Sequence, residues 1–261
     1  MTFRPKLLAL DVDGTLVNDA NELSSEVYST VRAAVDAGIQ VVISTGRSLP
    51  GVMDAARKLE LGDEFAVASN GAVVFEYDPI DVIHTVTFDA REAVKLLLEH
   101  VPDAAVAVEE IGVGYRINKP FPDGEINGRM TVQSIEELVA EPVTRVIIRS
   151  PEKSAEEFAE MAHSLGLVGT NYFVGYTAWL DLAPEGISKA SGLEVVTERL
   201  GLTAADVLAI GDGHNDIEML EWAGRGVAMG QAPVQVQDAA DDVTETVEND
   251  GAALEIARHL R

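Results

Sequence analysis

Short, fully apolar runs alternate with amphipathic stretches in the first and last parts of the chain. The apolar runs predict buried strands at 6–10, 39–44, 65–68, 207–210 and 227–229. A helical spacing of apolar residues predicts helices at 22–37, 49–61, 188–200 and from Ala252 onward. Strands that are apolar on both faces and separated by helices are typical of a parallel sheet covered on both sides. We therefore predict an α/β domain.

The pattern changes in the middle of the chain, from about Asp81. Alternating apolar and polar positions predict strands at 84–88, 104–111 and 143–148 and through 168–182, with helices at 91–100 and 154–165. Such alternation is typical of a mostly antiparallel sheet backed by helices on one face. The first pattern returns after Pro184. We predict that an α+β domain at 82–183 is inserted into an α/β domain formed by 1–81 and 184–261.

Composition and charge narrow the functional classes. The 261 residues include 44 Asp and Glu against 19 Lys and Arg, a formal net charge of −25. Long-range repulsion from phosphate backbones and anionic lipids disfavours nucleic-acid and membrane partners. The absence of cysteine excludes disulfides, thiolate metal sites and cysteine nucleophiles. No apolar run approaches the roughly 18 residues of a membrane helix, and the first one meets Asp11, so we expect a cytoplasmic protein.

Four polar clusters stand at or near the ends of predicted core elements. They are DVDGT at 11–15, STGR at 44–47, GISK at 186–189 and GDGHND at 211–216. Open α/β sheets bind their ligands at the carboxyl ends of the strands, where such clusters would converge. Taken singly, the first two could be turns, and the lysine of the third could be an ordinary surface residue.

The residue types in these clusters favour phosphoryl chemistry. Asp11 and Asp13 can face one crevice, where one carboxylate attacks and the other transfers protons. GDGHND offers the oxygen ligands of a hard cation, but neither acidic cluster has the glycine that a calcium loop needs at its sixth position. A Mg²⁺ ion and Lys189 would offset the repulsion between the converging carboxylates and could receive a phosphate dianion.

Together and in this order, the four clusters resemble the motifs of haloacid dehalogenase-like (HAD) superfamily phosphatases. The core resemblance covers about 1–80 and 186–261. The long insert between STGR and Lys189 is similar to that of the C2-capped, Cof-type subgroup (class IIB), as are SNGA at 69–72, LAPEGISKA at 182–190 and VAMGQA at 227–232. The resemblance implies a Rossmann-like parallel-sheet core with an inserted α+β cap domain.

The resemblance also implies roles for individual residues. Asp11 would be the nucleophile and Asp13 the general acid and then base, while Thr45 would hydrogen-bond the phosphoryl group and Lys189 would pair with it. The implied metal ligands are Asp11, the main-chain carbonyl of Asp13, Asp212 and, in or beside the shell, Asp216. The implied substrate-binding residues are Gly46, Arg47, Asn70 and Asn215, whereas His214 is interpreted as a motif filler. Structural roles for Arg47 and Asn70 remain an open alternative.

The expected function is a Mg²⁺-dependent phosphatase that hydrolyses a small phosphorylated metabolite, such as a sugar phosphate or a cofactor phosphate, through an aspartyl-phosphate. The alternatives are a phosphomannomutase-like mutase and an idle phosphometabolite-binding protein. A dinucleotide enzyme is disfavoured because Met229 stands where the third glycine of that motif would fall. We expect a monomer or weak homo-oligomer. Candidate specificity residues of the insert, each with a structural alternative, are Glu109, Tyr115, Arg116, Arg149, Phe173, Tyr176 and Trp179.

Overall fold

The computed structural model describes residues 3–62, 64–122, 124–150, 154–165, 170–174 and 179–260. The chain divides into two compact units. The first consists of Met1–Arg47, Val52–His84 and Ser188–Arg261, and the second consists of Ser48–Gly51 and Thr85–Ile187. In the described ranges, no helix is both long and apolar enough to cross a bilayer.

The chain begins with strands and helices whose residues lie mainly in the first unit. In order they are β1 (Leu7–Leu10), α1 (Ser25–Asp36), β2 (Gln40–Ser44), α2 (Leu49–Lys58), β3 (Phe65–Ala68), β4 (Val73–Glu76) and β5 (Asp81–Thr85). The Ser24 hydroxyl begins α1 by accepting a hydrogen bond from the Val27 amide at 3.1 Å. Gly38, at a φ of 81°, follows the end of α1 and lets the chain turn directly into β2.

The described residues of the second unit form a six-stranded sheet and three helices. Its elements are α3 (Arg91–His100), β6 (Ala105–Glu110), β7 (Gly114–Ile117), β8 (Arg129–Val132), α4 (Ile135–Leu138), β9 (Val146–Arg149), α5 (Ala155–Leu165), β10 (Thr170–Val174) and β11 (Trp179–Pro184). The strand order is β10-β11-β9-β6-β7-β8, and among the described strands of this sheet only β7 and β8 pair in parallel. Strands β7 and β8 were not predicted from the sequence. All four residues of β8 are exposed, so this strand lacks the alternation of buried apolar and exposed polar residues by which a strand is recognised in a sequence.

Alternation along the strands gives this sheet two different faces. Val106, Val146 and Leu180 pack with α3 and α5 in one buried cluster. Ala107 and Ile147 point to the opposite face and pack with Tyr115, Ile117, Phe121 and Ile126. The second unit is therefore an α+β domain with its longer helices on one face of the sheet.

The last third of the chain completes the first unit. Its elements are α6 (Lys189–Leu200), β12 (Val207–Gly211), α7 (Ile217–Trp222), β13 (Arg225–Ala228), α8 (Val234–Ala239), β14 (Asp242–Val243) and α9 (Gly251–Ala257). The sheet has the order β14-β13-β12-β1-β2-β3-β4-β5, and it is parallel from β14 to β3. This arrangement confirms the predicted α/β fold class with a parallel-sheet core.

One reversal in this sheet was not predicted. Strand β4 runs antiparallel to β3, with Ala68 opposite Val73. The reversal is possible because three consecutive residues, Ser69, Asn70 and Gly71, adopt positive φ angles of 51°, 55° and 103°. Asparagine and glycine tolerate this region, whereas serine there is strained. The SNGA segment therefore turns the chain sharply at the carboxyl end of β3.

Candidate active site

The carboxyl ends of β1, β2 and β12 lie side by side, since β1 pairs with both neighbours in parallel register. Asp11 directly follows β1, and its amide donates a hydrogen bond to the Ile210 carbonyl at 3.0 Å. Thr45 follows β2, and Asp212 follows β12. Three of the four polar clusters are therefore brought together at one edge of the sheet.

Lys189, at the start of α6, brings the remaining cluster, GISK, to Asp11 and to Asp216 of GDGHND. Its side chain is fully buried, and its Nζ donates to Asp11 Oδ1 and to Asp216 Oδ1, both at 2.6 Å. Burial alone would lower the pKa of this ammonium group, but the carboxylates of Asp11 and Asp216 outweigh burial and raise the pKa above its ordinary value. Lys189 is therefore a charged residue inside the protein.

The Asp11 carboxyl lies in an environment that opposes its ionisation. Burial raises its pKa well above the ordinary value, and the nearby carboxylates of Asp216, Asp212 and Asp13 add to the effect, while Lys189 counteracts it. A carboxylate nucleophile must be ionised to attack. A further cation beside Asp11 would lower this pKa and favour the reactive form.

Asp11, Asp212 and Asp216 form a cluster that could hold such a cation. Each offers a carboxylate oxygen, and these oxygens lie within 4.8 Å of one another in buried surroundings. Lys189 supplies one positive charge against the three carboxylates. Oxygen ligands and an excess of negative charge suit a hard divalent cation. The residues present therefore fit a divalent metal site.

Asp216 also shapes the loop that follows β12. Its Oδ2 accepts hydrogen bonds from the amides of Asp212 at 3.0 Å and Gly213 at 2.8 Å, while Oδ1 contacts Lys189. Both oxygens are thus used within the protein. His214, in the same loop, is exposed.

Two further residues, Gly14 and Gln231, shape the surroundings of the Asp212 carboxylate. Gly14 has a φ of 78°, and a methyl group there would overlap the Asp212 carboxylate, so this position requires glycine. Gln231 Nε2 donates to the Gly14 carbonyl at 2.5 Å and lies 3.4 Å from Asp212 Oδ2, and its Oε1 accepts from the Val247 amide at 3.0 Å. The sequence analysis did not assign Gln231 to the site, although it noted the VAMGQA segment.

Asp13 lies outside the buried cluster. Its side chain is 63% exposed, and both of its oxygens are bound by Arg47. Arg47 is a candidate for substrate binding, with a structural role as the alternative, and its guanidinium group contacts Asp13 and the side chain of Asn21.

The remaining substrate-binding candidates meet at the turn after β2. Asn215 Nδ2 donates to Asn70 Oδ1 at 2.9 Å. A methyl group at Gly46 would lie only 3.0 Å from Asn70 Oδ1, so the turn passes close to this amide pair. Thr45 is buried, and its Oγ1 accepts a hydrogen bond from the Arg47 amide at 3.1 Å. The structure therefore brings Gly46, Asn70 and Asn215 together beside Thr45.

Comparison with known proteins identifies the family. The profile of the haloacid dehalogenase-like hydrolases matches residues 8–256. The chain belongs to this family. It is similar to the Bacillus subtilis (strain 168) 5-amino-6-(5-phospho-D-ribitylamino)uracil phosphatase YcsE, with 32% identity over 97% of this chain and 95% of that protein.

Solved structures of this family agree in fold. A haloacid dehalogenase-like hydrolase from Bacteroides thetaiotaomicron has a TM-score of 0.82 and 29% identity, covering 98% of this chain and 99% of its own. A subclass IIB sugar phosphatase, BT4131, has a TM-score of 0.81 and 26% identity, covering 97% and 98%. The present chain is accordingly a Cof-type HAD phosphatase, a hydrolase of phosphoric monoesters.

The second unit of this HAD phosphatase contains the four charged or polar specificity candidates. Three of them are bound to other side chains: Glu109 Oε2 accepts from Thr144 at 2.9 Å, the Tyr115 hydroxyl accepts from Arg145 at 2.9 Å, and Arg149 pairs with Glu125 at 3.0 Å. The fourth, Arg116, donates to the main-chain carbonyl of Glu137 at 3.4 Å.

A buried ion pair in the same unit was missed by the sequence analysis. Arg145 donates to both oxygens of Asp181, at 2.8 and 2.9 Å. The paired residues are far apart in sequence, on β11 and next to β9, and nothing in the sequence marks them as partners. Among the aromatic candidates, Trp179 packs edge-on against Phe121. Tyr176 and the side chain of Phe173 lie outside the described residues.

Proposed function

We propose that this protein is a Mg²⁺-dependent phosphatase that hydrolyses a small phosphorylated metabolite through an aspartyl-phosphate on Asp11. The observation that carries this proposal is the position of Asp11. It is a buried carboxylate that contacts the ammonium group of Lys189 at 2.6 Å and lies beside Asp212 and Asp216. A carboxylate with an adjoining cation and a candidate metal site has what an in-line attack on phosphorus requires.

The metal would be held by Asp11, Asp212 and the main-chain carbonyl of Asp13, with Asp216 in or beside its shell. Bound there, Mg²⁺ would neutralise charge on the phosphoryl oxygens and on the nucleophile. Mg²⁺ favours oxygen ligands, and carboxylates supply them in this cluster.

In the first half-reaction, an Asp11 carboxylate oxygen would attack phosphorus and form a new P–O bond. The ester P–O bond would break, and the departing alkoxide oxygen would take a proton from the Asp13 carboxyl group. The products would be the free alcohol, phospho-Asp11 and the Asp13 carboxylate. The exposure of Asp13, compared with the burial of Asp11, suits a group that meets the leaving group.

In the second half-reaction, the Asp13 carboxylate would take a proton from water as the water oxygen attacks phosphorus. The bond between phosphorus and Asp11 would break, releasing inorganic phosphate, the Asp11 carboxylate and protonated Asp13. Throughout, the Lys189 ammonium group would pair with the phosphoryl oxygens, and the Thr45 hydroxyl and the Asn215 amide would hydrogen-bond to them.

The names of the relatives suggest the class of substrate. YcsE is named for a substrate with a phosphorylated ribityl chain, and BT4131 is called a sugar phosphatase. We therefore propose a phosphate ester of a sugar, a sugar alcohol or a cofactor. The first unit would be the catalytic core and the second a C2-type cap that contributes to substrate choice. A cytoplasmic monomer or weak homo-oligomer remains our prediction.

Phosphate release from a panel of phosphorylated sugars, polyols, nucleotides, pyridoxal phosphate and flavin mononucleotide tests the proposal. We expect release that requires Mg²⁺, stops with chelator and is abolished by Asp11→Asn in a folded protein. Asp36→Asn, an exposed aspartate at the end of α1, is the matched control and should leave turnover unchanged. Near-normal turnover by Asp11→Asn would refute the aspartyl-phosphate mechanism. Sugar-phosphate isomerisation without phosphate release would indicate a mutase instead.

A further inference from the structure

The guanidinium group of Arg47 donates two hydrogen bonds to the carboxylate of Asp13. Arg47 Nε donates to Oδ2 at 2.9 Å, and one terminal nitrogen donates to Oδ1 at 2.5 Å. Such a two-point contact fixes both the position and the plane of a carboxylate. Asp13 is 63% exposed whereas Arg47 is only 17% exposed. An exposed carboxylate is therefore held by a largely buried cation.

Arg47 is itself held by its surroundings. The nitrogen that contacts Asp13 Oδ1 also donates to Asn21 Oδ1 at 3.0 Å, and the other terminal nitrogen lies 3.8 Å from Asp54. Lys58 binds Asp54 at 2.9 Å and the Asn21 carbonyl at 2.9 Å, and Asn21 Nδ2 donates to Asp54 at 3.2 Å. Two cations and two carboxylates, bridged by one amide, thus form a closed network.

The main chain of Arg47 is fixed as well. Its amide donates to Thr45 Oγ1 at 3.1 Å, and its carbonyl accepts from the Ser69 amide at 2.9 Å. The guanidinium group therefore extends from a backbone that is anchored on both sides. The position from which the side chain extends is fixed in this way, while the contacts with Asn21 and Asp54 hold the guanidinium group itself.

We propose that Arg47 is a positioning residue that aims Asp13 for proton transfer, rather than a ligand of the substrate phosphate. This inference rests on the proposed function, in which Asp13 is the general acid. Each Asp13 oxygen accepts one hydrogen bond from Arg47 and has a second lone pair available to a reacting group. Lysine cannot replace arginine in this role, since a single ammonium group cannot hold both oxygens in a defined plane.

The dependence of rate on the leaving group separates these two roles. An alkoxide leaving group needs a proton as the ester bond breaks, whereas p-nitrophenolate is stable without one. The parameter kcat/KM reports only the steps up to departure of the leaving group, so it is insensitive to hydrolysis of the aspartyl-phosphate. Replacing a residue that binds the phosphate would lower kcat/KM equally for both ester types. Replacing a residue that positions Asp13 would lower kcat/KM more for alkyl esters than for aryl esters.

The experiment compares kcat/KM for the best alkyl phosphate of the panel and for p-nitrophenyl phosphate, with Mg²⁺ present. For Arg47→Ala and Arg47→Lys we expect a loss of about 100-fold with the alkyl ester, within the range of general acid catalysis, and less than about 10-fold with the aryl ester. Asp13→Asn should show the same selectivity. The double variant Arg47→Ala with Asp13→Asn should be no worse than Asp13→Asn alone, since both changes remove one function.

Two further variants complete the design. Arg57→Ala removes an exposed arginine of the same helix, α2, and should leave both rates unchanged. Asn21→Gly deletes the bridging amide but suits the backbone, since Asn21 has a φ of 57°, and should reproduce the alkyl-selective loss more weakly. This variant carries the test if Arg47→Ala does not fold, as judged by circular dichroism.

The outcomes distinguish the inference from the function on which it rests. An equal loss for both ester types, full activity of Arg47→Lys, or additive losses in the double variant would overturn the positioning role while leaving the phosphatase intact. A wild-type protein that releases no phosphate from any ester, or an active Asp11→Asn variant, would overturn the proposed function and the inference together.

Discussion

The buried contact between Lys189 and two aspartates makes a quantitative prediction about stability. Lys189→Met replaces the ammonium group by an apolar group of similar length and leaves Asp11 and Asp216 facing each other without a cation. Each lost contact is 2.6 Å long. At the effective dielectric constant of about 20 that describes protein sites, a pair at this distance attracts by about 6 kcal/mol.

Most of that attraction is offset by the cost of burying the charges. The net loss on breaking a buried ion pair from one side is about 3–5 kcal/mol, because the remaining charge is left buried and unpaired. Typical unfolding free energies are about 5–15 kcal/mol, so the variant should fold but be markedly less stable. We therefore expect Lys189→Met to lose about 4 kcal/mol of its unfolding free energy.

Urea unfolding at neutral pH, with chelator present so that no divalent ion compensates, measures this loss. The double variant Lys189→Met with Asp216→Asn should be more stable than Lys189→Met alone, because it removes one of the repelling carboxylates. Lys58→Met, at a partly exposed ion pair, is the control and should lose no more than about 1 kcal/mol. A loss below about 1 kcal/mol for Lys189→Met, or a double variant less stable than the single, would refute the argument.

Two further predictions concern the cation site and acid stability. Gly14→Ala should weaken Mg²⁺ binding by at least about 10-fold in titration calorimetry, because its methyl group would displace Asp212. Gly38→Ala is the control, because Gly38 has a similar φ but open space around it, and Mg²⁺ binding should be unchanged in this variant. Unchanged Mg²⁺ affinity in Gly14→Ala would contradict the prediction. Glu255→Gln should cost about 2 kcal/mol at pH 7 in urea unfolding. Burial raises the pKa of Glu255, but its contacts with Arg225 and neighbouring cations outweigh burial and lower it. Its contribution is therefore present above the unfolded pKa of about 4.3 and lost as pH falls below it. An equal cost at pH 3 and pH 7 would contradict this account.

Much of the fold could be predicted from the sequence, for a local reason. A strand buried on both faces must be apolar throughout, so β1, β2, β3 and β12 are visible as short hydrophobic runs. Strand β4 is a largely buried apolar run that was not predicted, and its antiparallel direction depends on the backbone angles of the SNGA turn. Strand β8 was missed because its residues are all exposed.

The order of the motifs along the chain indicated which residues could form the site, because parallel neighbours end at the same edge of a sheet. The sequence alone therefore determined the candidates Asp11, Asp212 and Lys189. Only the tertiary structure decided their pairing. Lys189 meets Asp11 across 178 positions of sequence, a contact set by strand order and by the start of α6.

The assignment of Arg47 shows the same division. The STGR segment marked it as a polar residue after a core strand, and both a substrate contact and a structural role agreed with that position. In the structure, its guanidinium group is bound to Asp13 and Asn21. A side chain of this length reaches many partners from one backbone position. Sequence therefore determined which chemical groups stand at the edge of the sheet, whereas three-dimensional packing decided which of them touch.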